Sequence, residues 1–343
     1  MYQHGGDIYT HKNMIDFSSN INPLGPPDGV ITAACEGIRS VSYYPDPWCN
    51  KLREGLSKTY QLPKEYILCG NGAAELIFSF ILAHKPKKAL LPIPTFHEYE
   101  QALHTIDCNI TYYSMKEKND FILTGDFIPA ITNNLDIIFL CNPNNPTGHL
   151  IPKGLLDQIL QKCIDYNIYL VIDECFMDFV NKEEQDSFIE KCATVKTLFI
   201  LKAFTKLYAI PGLRLGYMIS SNTEMLMKMK EVTQPWNVSV PAQLAGIAAL
   251  EEHEYVNRSM GLILEERKYL MSELSKMNLK LYDSKGNYIF FRGDIRLYEK
   301  CLNRGILIRD CSNYKGLEQG YYRIAVKDHI SNEKLVHILQ EVI

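Results

Sequence analysis

The stretch Ala203-Phe-Thr-Lys-Leu-Tyr-Ala-Ile-Pro-Gly-Leu-Arg-Leu-Gly-Tyr217 follows an apolar run at 197–201 and places Lys206 eight residues ahead of Arg214. Pro211-Gly212 lies between them, breaks any helix and forces a tight loop, which allows Arg214 to fold back towards Lys206. An amine attacks a carbonyl only when it is unprotonated, and a fixed cation beside it lowers its pKa. The same cation can hold a phosphate. Taken alone, the stretch is also an ordinary basic loop after a strand, with a solvated lysine; the other strand ends separate the two readings.

Between about residues 60 and 216, short β-rich apolar runs at 66–69, 89–93, 137–141, 168–172 and 197–201 alternate with helical stretches. The runs are continuous rather than alternating, which implies strands buried on both faces and a mostly parallel sheet covered by helices on each side. This is an α/β pattern. From 236 the pattern changes to a long helical stretch at 241–276, strands at 288–291, 306–309 and 321–326, and a last helix at 332–342. The expected organisation is a large domain over 41–235 and a smaller α+β domain over 236–343, joined by an N-terminal segment at 1–40.

The 343 residues carry 46% hydrophobic and 22% charged side chains, as ordinary globular chains do. A net charge of −4 argues against a nucleic-acid partner. No apolar run approaches the roughly 20 residues that span a bilayer, and the first residues lack the basic and apolar regions of a signal peptide. A cytoplasmic protein is expected. The ten cysteines show no CxxC pairing, so neither a metal site nor a disulfide framework is indicated.

In open α/β sheets ligands sit beyond the carboxyl ends of the strands. After the run at 66–69 comes Gly70-Asn-Gly-Ala-Ala-Glu75, where glycines ahead of a helix expose backbone N–H groups to an anion; a plain strand-to-helix turn reads the same way. Phe96, after the run at 89–93, is either core or a ring that stacks on a flat ligand. Leu140-Cys-Asn-Pro-Asn-Asn-Pro-Thr-Gly148 holds two Asn-Pro pairs that fix an irregular loop, with Asn145 offering an amide donor. Asp173-Glu174 ends a fully apolar strand, and a buried carboxylate needs a partner; a helix-capping aspartate is the alternative. A phosphate cradle, a stacking ring, an amide, a carboxylate and a lysine in this order meet the needs of pyridoxal phosphate.

With these motifs the chain resembles the fold-type-I pyridoxal-phosphate enzymes of the class I/II aminotransferase superfamily over essentially its whole length. Within that group it is most similar to the threonine-phosphate decarboxylases of cobamide biosynthesis, then to the histidinol-phosphate aminotransferases. His4-Gly-Gly-Asp7, Asp16-Phe-Ser-Ser-Asn-Ile-Asn-Pro-Leu-Gly25, the lysine stretch and Ile306-Leu-Ile-Arg-Asp-Cys-Ser-Asn-Tyr-Lys-Gly-Leu317 carry the closer match. Phe176 adds to it, because the aminotransferases usually have a tyrosine there.

The resemblance implies a homodimer and a set of roles. Lys206 would bond the cofactor carbonyl and Asp173 would keep the ring nitrogen protonated. Asn145 would donate to O3′ and Phe96 would stack on the ring. Ala73, Ala74, Thr205 and Arg214 would hold the cofactor phosphate, with Tyr44 reaching it from the neighbouring subunit. Arg323 would pair with the substrate carboxylate, Asn20 would lie close to it, and His4 and Arg309 would face a substrate phosphate. The implied reaction is decarboxylation of L-threonine-O-3-phosphate to (R)-1-amino-2-propanol phosphate, with amino-group transfer as the rival and a non-catalytic cofactor-binding regulator as a third reading. The superfamily usually has a serine where this chain has Ala203, three residues before the lysine. Lys202 is a candidate to compensate for the lost hydroxyl.

Overall fold

The chain begins with a two-residue strand, β1 (Ile15–Asp16), and two helices, α1 (Asp28–Arg39) and α2 (Asn50–Tyr60), in a computed structural model that describes residues 4–343. Strands and helices then alternate through β2 (Ile67–Gly70), α3 (Ala73–His84), β3 (Lys88–Ile93), α4 (His97–His104) and β4 (Asn109–Ser114). The pattern continues with β5 (Ile137–Cys141), α5 (Lys153–Tyr166), β6 (Tyr169–Asp173), β7 (Leu198–Ala203), β8 (Gly216–Ile219) and α6 (Thr223–Val232). Helices α7 (Val240–Ala249) and α8 (His253–Leu274) follow. The last elements are β9 (Lys280–Leu281), β10 (Tyr288–Arg292), α9 (Leu297–Leu302), β11 (Ile306–Leu307), β12 (Arg309–Asp310), β13 (Tyr321–Ala325) and α10 (His329–Val342).

Seven strands form the large sheet in the order β2-β8-β7-β6-β5-β3-β4. Only β8 runs against its neighbours, so the carboxyl ends of the other six lie on one edge. The continuous apolar runs behave as expected. On β5, Ile138 and Leu140 enter one core while Ile137, Phe139 and Cys141 enter the core on the opposite face. Each such large apolar side chain contributes about 1.5–3 kcal/mol by leaving water. Strand β4 escapes a search for apolar runs because it is a partly exposed edge, Asn-Ile-Thr-Tyr-Tyr-Ser.

A second, four-stranded antiparallel sheet runs β12-β13-β10-β9, and β1 pairs in parallel with β11. The run expected as one strand at 306–309 is therefore two. Ile306 and Leu307 pair with β1, whereas Arg309 and Asp310 pair with β13, and the chain changes partners at Ile308. The helical stretch expected at 241–276 is also divided. Ala242, Ala245 and Ala249 of α7 join the core of the large sheet, while Leu270 and Leu274 of α8 join the core under the small one, so the chain turns between them. Helix α10 starts at His329 because Asp328 caps it, accepting from the Ser331 N–H at 3.0 Å.

Candidate active site

The carboxyl ends of β2, β3, β5, β6 and β7 open into a cavity of about 310 Å³, closed on its far side by the N-terminal segment and by β12 and β13. Of the residues expected to act, Lys206, Asp173, Ala73, Ala74, Phe96, Asn145, Thr205, Arg214, His4, Asn20, Arg309 and Arg323 all line it. Tyr44 does not. It is 78% exposed on the outer surface, stacked on Trp236 with ring centroids 4.3 Å apart.

At the end of β2, Gly72 precedes helix α3 with φ +85° and offers no side-chain cap, so the first N–H groups of the helix stay open. A Cβ at this position would lie 2.7 Å from Arg214 Nη2. Only a glycine lets the guanidinium close against the helix N-terminus, and together they form a cradle for a dianion. Ala203 faces the same cavity. Lys202 cannot replace the serine hydroxyl that Ala203 lacks, contrary to expectation. Successive strand residues point to opposite faces, and Lys202 is buried behind β7, donating to Asp178 Oδ1 at 2.8 Å.

Asp173 ends β6 inside the protein. Its Oδ2 accepts from the Tyr99 hydroxyl at 2.6 Å and its Oδ1 from the Cys175 N–H at 2.9 Å, yet no cation pairs with it among the described residues. Burial pushes its pKa up. A carboxylate desolvated to this degree lacks a positive partner, and a protonated pyridine nitrogen is such a partner. Asn145 is oriented by two donors to its Oδ1, the Tyr314 hydroxyl at 3.2 Å and Arg323 Nη1, so its amide N–H₂ is the end available to a ligand. Together with the anion cradle these groups fit pyridoxal phosphate.

Lys206 Nζ makes no ion pair or hydrogen bond among the described residues, and its pKa falls to about 8. Burial is the largest cause, followed by the charge of Arg323 and then that of Arg214. The neighbouring cation anticipated in the sequence therefore acts, but as the third of the influences that lower the value. The loop is fastened to the N-terminal segment by Asn22, whose N–H donates to Lys206 O at 3.1 Å and whose Nδ2 donates to Leu207 O at 2.7 Å.

Arg309 and Arg323 are direct cross-strand partners on β12 and β13, and both are buried. Two cations placed opposite each other repel, and neither forms an ion pair with a carboxylate among the described residues. Their hydrogen bonds go to neutral acceptors: Arg309 Nη2 to Asn313 Oδ1 at 2.8 Å, and Arg323 Nη2 to Ser18 O at 2.9 Å. Asn20 presents to the same cavity a buried Oδ1 that has no partner among the described residues. His4 is held at the rim because the backbone at Gly5 and Gly6 docks on Ser18. A Cβ on Gly5 would lie 2.2 Å from Ser18 O, and Gly6 N–H donates to Ser18 Oγ at 2.7 Å.

Sequence reasoning overlooked Tyr99, Tyr314 and Glu98. Tyr99 follows Phe96 by three residues, a helical spacing that sets its ring 5.6 Å from that of Phe96. Nothing in the local pattern singles out Glu98, which is 13% exposed and 3.5 Å from His4 Nδ1 through Oε1. Burial raises its pKa to about 7.

A family model described as aminotransferase class I and II matches residues 12–342. Among curated proteins, the threonine-phosphate decarboxylase of Salmonella typhimurium is 37% identical over 99% of this chain and 96% of its own length. The histidinol-phosphate aminotransferase of Methanosphaera stadtmanae is 29% identical over 97% of this chain and 91% of its own. Among solved structures, the histidinol-phosphate aminotransferase of Clostridium acetobutylicum superimposes with a TM-score of 0.89 at 31% identity, covering 95% of this chain and 98% of that one.

Proposed function

We propose that this chain, which belongs to the aminotransferase class I and II family and is pyridoxal-phosphate-dependent as that family is, decarboxylates L-threonine-O-3-phosphate. The observation that carries the substrate class is the buried Arg309–Arg323 pair, two guanidiniums on adjacent strands with no carboxylate partner among the described residues. Such a pair suits a small molecule with two anionic groups, here a carboxylate and a phosphomonoester. The choice of decarboxylation is supported by the similarity to the Salmonella typhimurium enzyme and by Phe176. Phe176 lines the cavity edge-on to Tyr288 and carries no hydroxyl that could share O3′ with Asn145.

The bound cofactor supplies an electron sink for the bond that breaks at Cα. Arg214, Thr205 and the first N–H groups of α3 would hold its phosphate, Phe96 would cover the ring, Asp173 would keep a proton on the ring nitrogen, and Asn145 would donate to O3′. Arg323 orients the substrate carboxylate with Asn20 beside it, while Arg309 and His4 take the phosphate. In its ammonium form Lys206 would be the general acid that gives a proton to Cα after CO₂ leaves and is left as the neutral amine, and its lowered pKa would make that proton easier to give up. Val41, Tyr43 and Tyr44 are exposed, and Tyr44 stacks on the exposed Trp236 to give an apolar face. We assign that face to a homodimer contact through which Tyr44 reaches the partner's cofactor phosphate. The product would enter cobalamin assembly.

Holoenzyme incubated with L-threonine-O-3-phosphate should release one CO₂ per substrate and form an amino alcohol phosphate. Turnover that needs 2-oxoglutarate and releases no CO₂ would replace this reading with an aminotransferase acting on histidinol phosphate or a related amino phosphate.

A further inference from the structure

Glu98 has no role in the chemistry above, and an acidic side chain is a strange neighbour for a phosphate. It lies in the second turn-forming position of α4, largely buried, and lines the cavity beside His4 and Arg309. Its Oε1 faces His4 Nδ1 at 3.5 Å, and its Oε2 is buried with no hydrogen-bond partner among the described residues. A simple sum of charges would make Glu98 repel an anionic substrate.

Resting on the reading of the substrate as a phosphomonoester, we propose that Glu98 is a positioning residue that acts through His4, holding it as an imidazolium whose Nε2–H meets the substrate phosphate. The geometry selects the ring nitrogens. With Nδ1 the ring nitrogen nearest the carboxylate, Nε2 is left for the ligand, and a carboxylate behind an imidazole favours its doubly protonated form. The charged groups around the pair are consistent with a ligand-linked change. Glu98 is faced by Asp173 from β6, Lys206 from the loop after β7, Arg309 from β12 and Tyr314 from the loop that follows it. Burial and the charge of Arg309 lower the His4 pKa, while burial raises that of Glu98. Both shifts favour the uncharged forms, a neutral imidazole beside a carboxyl group. A phosphate dianion offsets Arg309, draws the proton onto His4 and leaves Glu98 as its counter-ion. The pair then reads the charge of the phosphoryl group.

The test compares binding of L-threonine-O-3-phosphate and L-threonine to the holoenzyme and to Glu98→Gln by titration calorimetry. The expected result is a loss of roughly tenfold for the phosphorylated ligand in Glu98→Gln, from one charge-assisted contact, with no change for threonine. In a His4→Ala background Glu98→Gln should add nothing. Tighter phosphate binding in Glu98→Gln, an equal loss for both ligands, or an undiminished loss in the His4→Ala background would each overturn the proposal. Should the wild type release no CO₂ and bind neither ligand, the same titrations are run with histidinol phosphate and histidinol. The reaction reading then fails, while the Glu98 role is still decided by whether the phosphorylated ligand alone weakens.

Discussion

The two halves of the cavity are built differently. The half assigned to the cofactor comes from the carboxyl ends of consecutive strands in one sheet, so Ala73, Phe96, Asn145, Asp173 and Lys206 appear in chain order, each after a buried apolar run. The half assigned to the substrate is gathered from the N-terminal segment, the start of α4 and two strands of the small sheet, with His4, Glu98, Arg309 and Arg323 far apart in sequence. A rigid sheet edge positions groups that every turnover needs. The composite wall can change its residues without disturbing the sheet, which is how one fold supports many substrates.

The largest effects should come from the sheet half. Lys206→Ala should lower turnover by roughly 10⁴-fold or more and abolish the cofactor-type absorbance of the covalently held group; unchanged absorbance would remove Lys206 from that role. Asp173→Asn should lower kcat by roughly 10²–10³-fold while stabilising the apoprotein at neutral pH. Burial raises the Asp173 pKa, so the native state binds a proton more tightly than the unfolded chain, and ionisation as pH rises costs native stability. Neutral asparagine removes that cost. Chemical denaturation of both apoproteins at pH 7 checks the sign, and a less stable Asp173→Asn apoprotein would mean that the carboxylate is satisfied without the cofactor.

These two predictions concern residues that sequence reading expected at the strand ends and that line the cavity, and the reason is physical. Continuous apolar strands announce a parallel sheet, and a parallel sheet announces where its ligands sit. Asp173 was marked by its place at the end of a buried strand, and its reading depended on the other strand ends beside it. Arg323 and Arg309 had no such signal and were legible only through resemblance, because their meaning lies in being opposite each other across β12 and β13. Tyr99 and Tyr314 were missed since each acts on another side chain, Asp173 and Asn145, rather than from a strand end. The two-part run at 306–309 and the turn between α7 and α8 depend on which sheet each piece packs against, which local hydrophobicity does not encode.

The substrate half should respond through KM. Arg323→Lys keeps the charge but loses the fork, and should raise KM by about 10- to 100-fold with a smaller effect on kcat. Arg323 also joins the halves, because its charge helps to hold the Lys206 pKa at about 8. Cofactor attachment to the apoprotein requires the neutral amine, so its rate should rise with pH through a midpoint of about 8. Arg323→Met removes a cation and should move that midpoint upward. An unmoved midpoint would make burial the whole cause and leave the two halves electrostatically independent.

The smallest expected effect lies within the sheet half, at Ala203. This side chain faces the cavity at the end of β7, and Lys202 turns away from it to Asp178. No hydroxyl from this position reaches the cradle made by Arg214 and the start of α3. Ala203→Ser introduces a donor where the superfamily usually has one, worth about 1 kcal/mol, or roughly fivefold tighter cofactor binding. Equilibrium dialysis of the cofactor against both apoproteins measures it. Fivefold tighter binding would mean that the cradle has one donor fewer than the phosphate can use. Unchanged affinity would mean that Thr205, Arg214 and the helix N–H groups already fill its oxygens, and that alanine costs this strand end nothing.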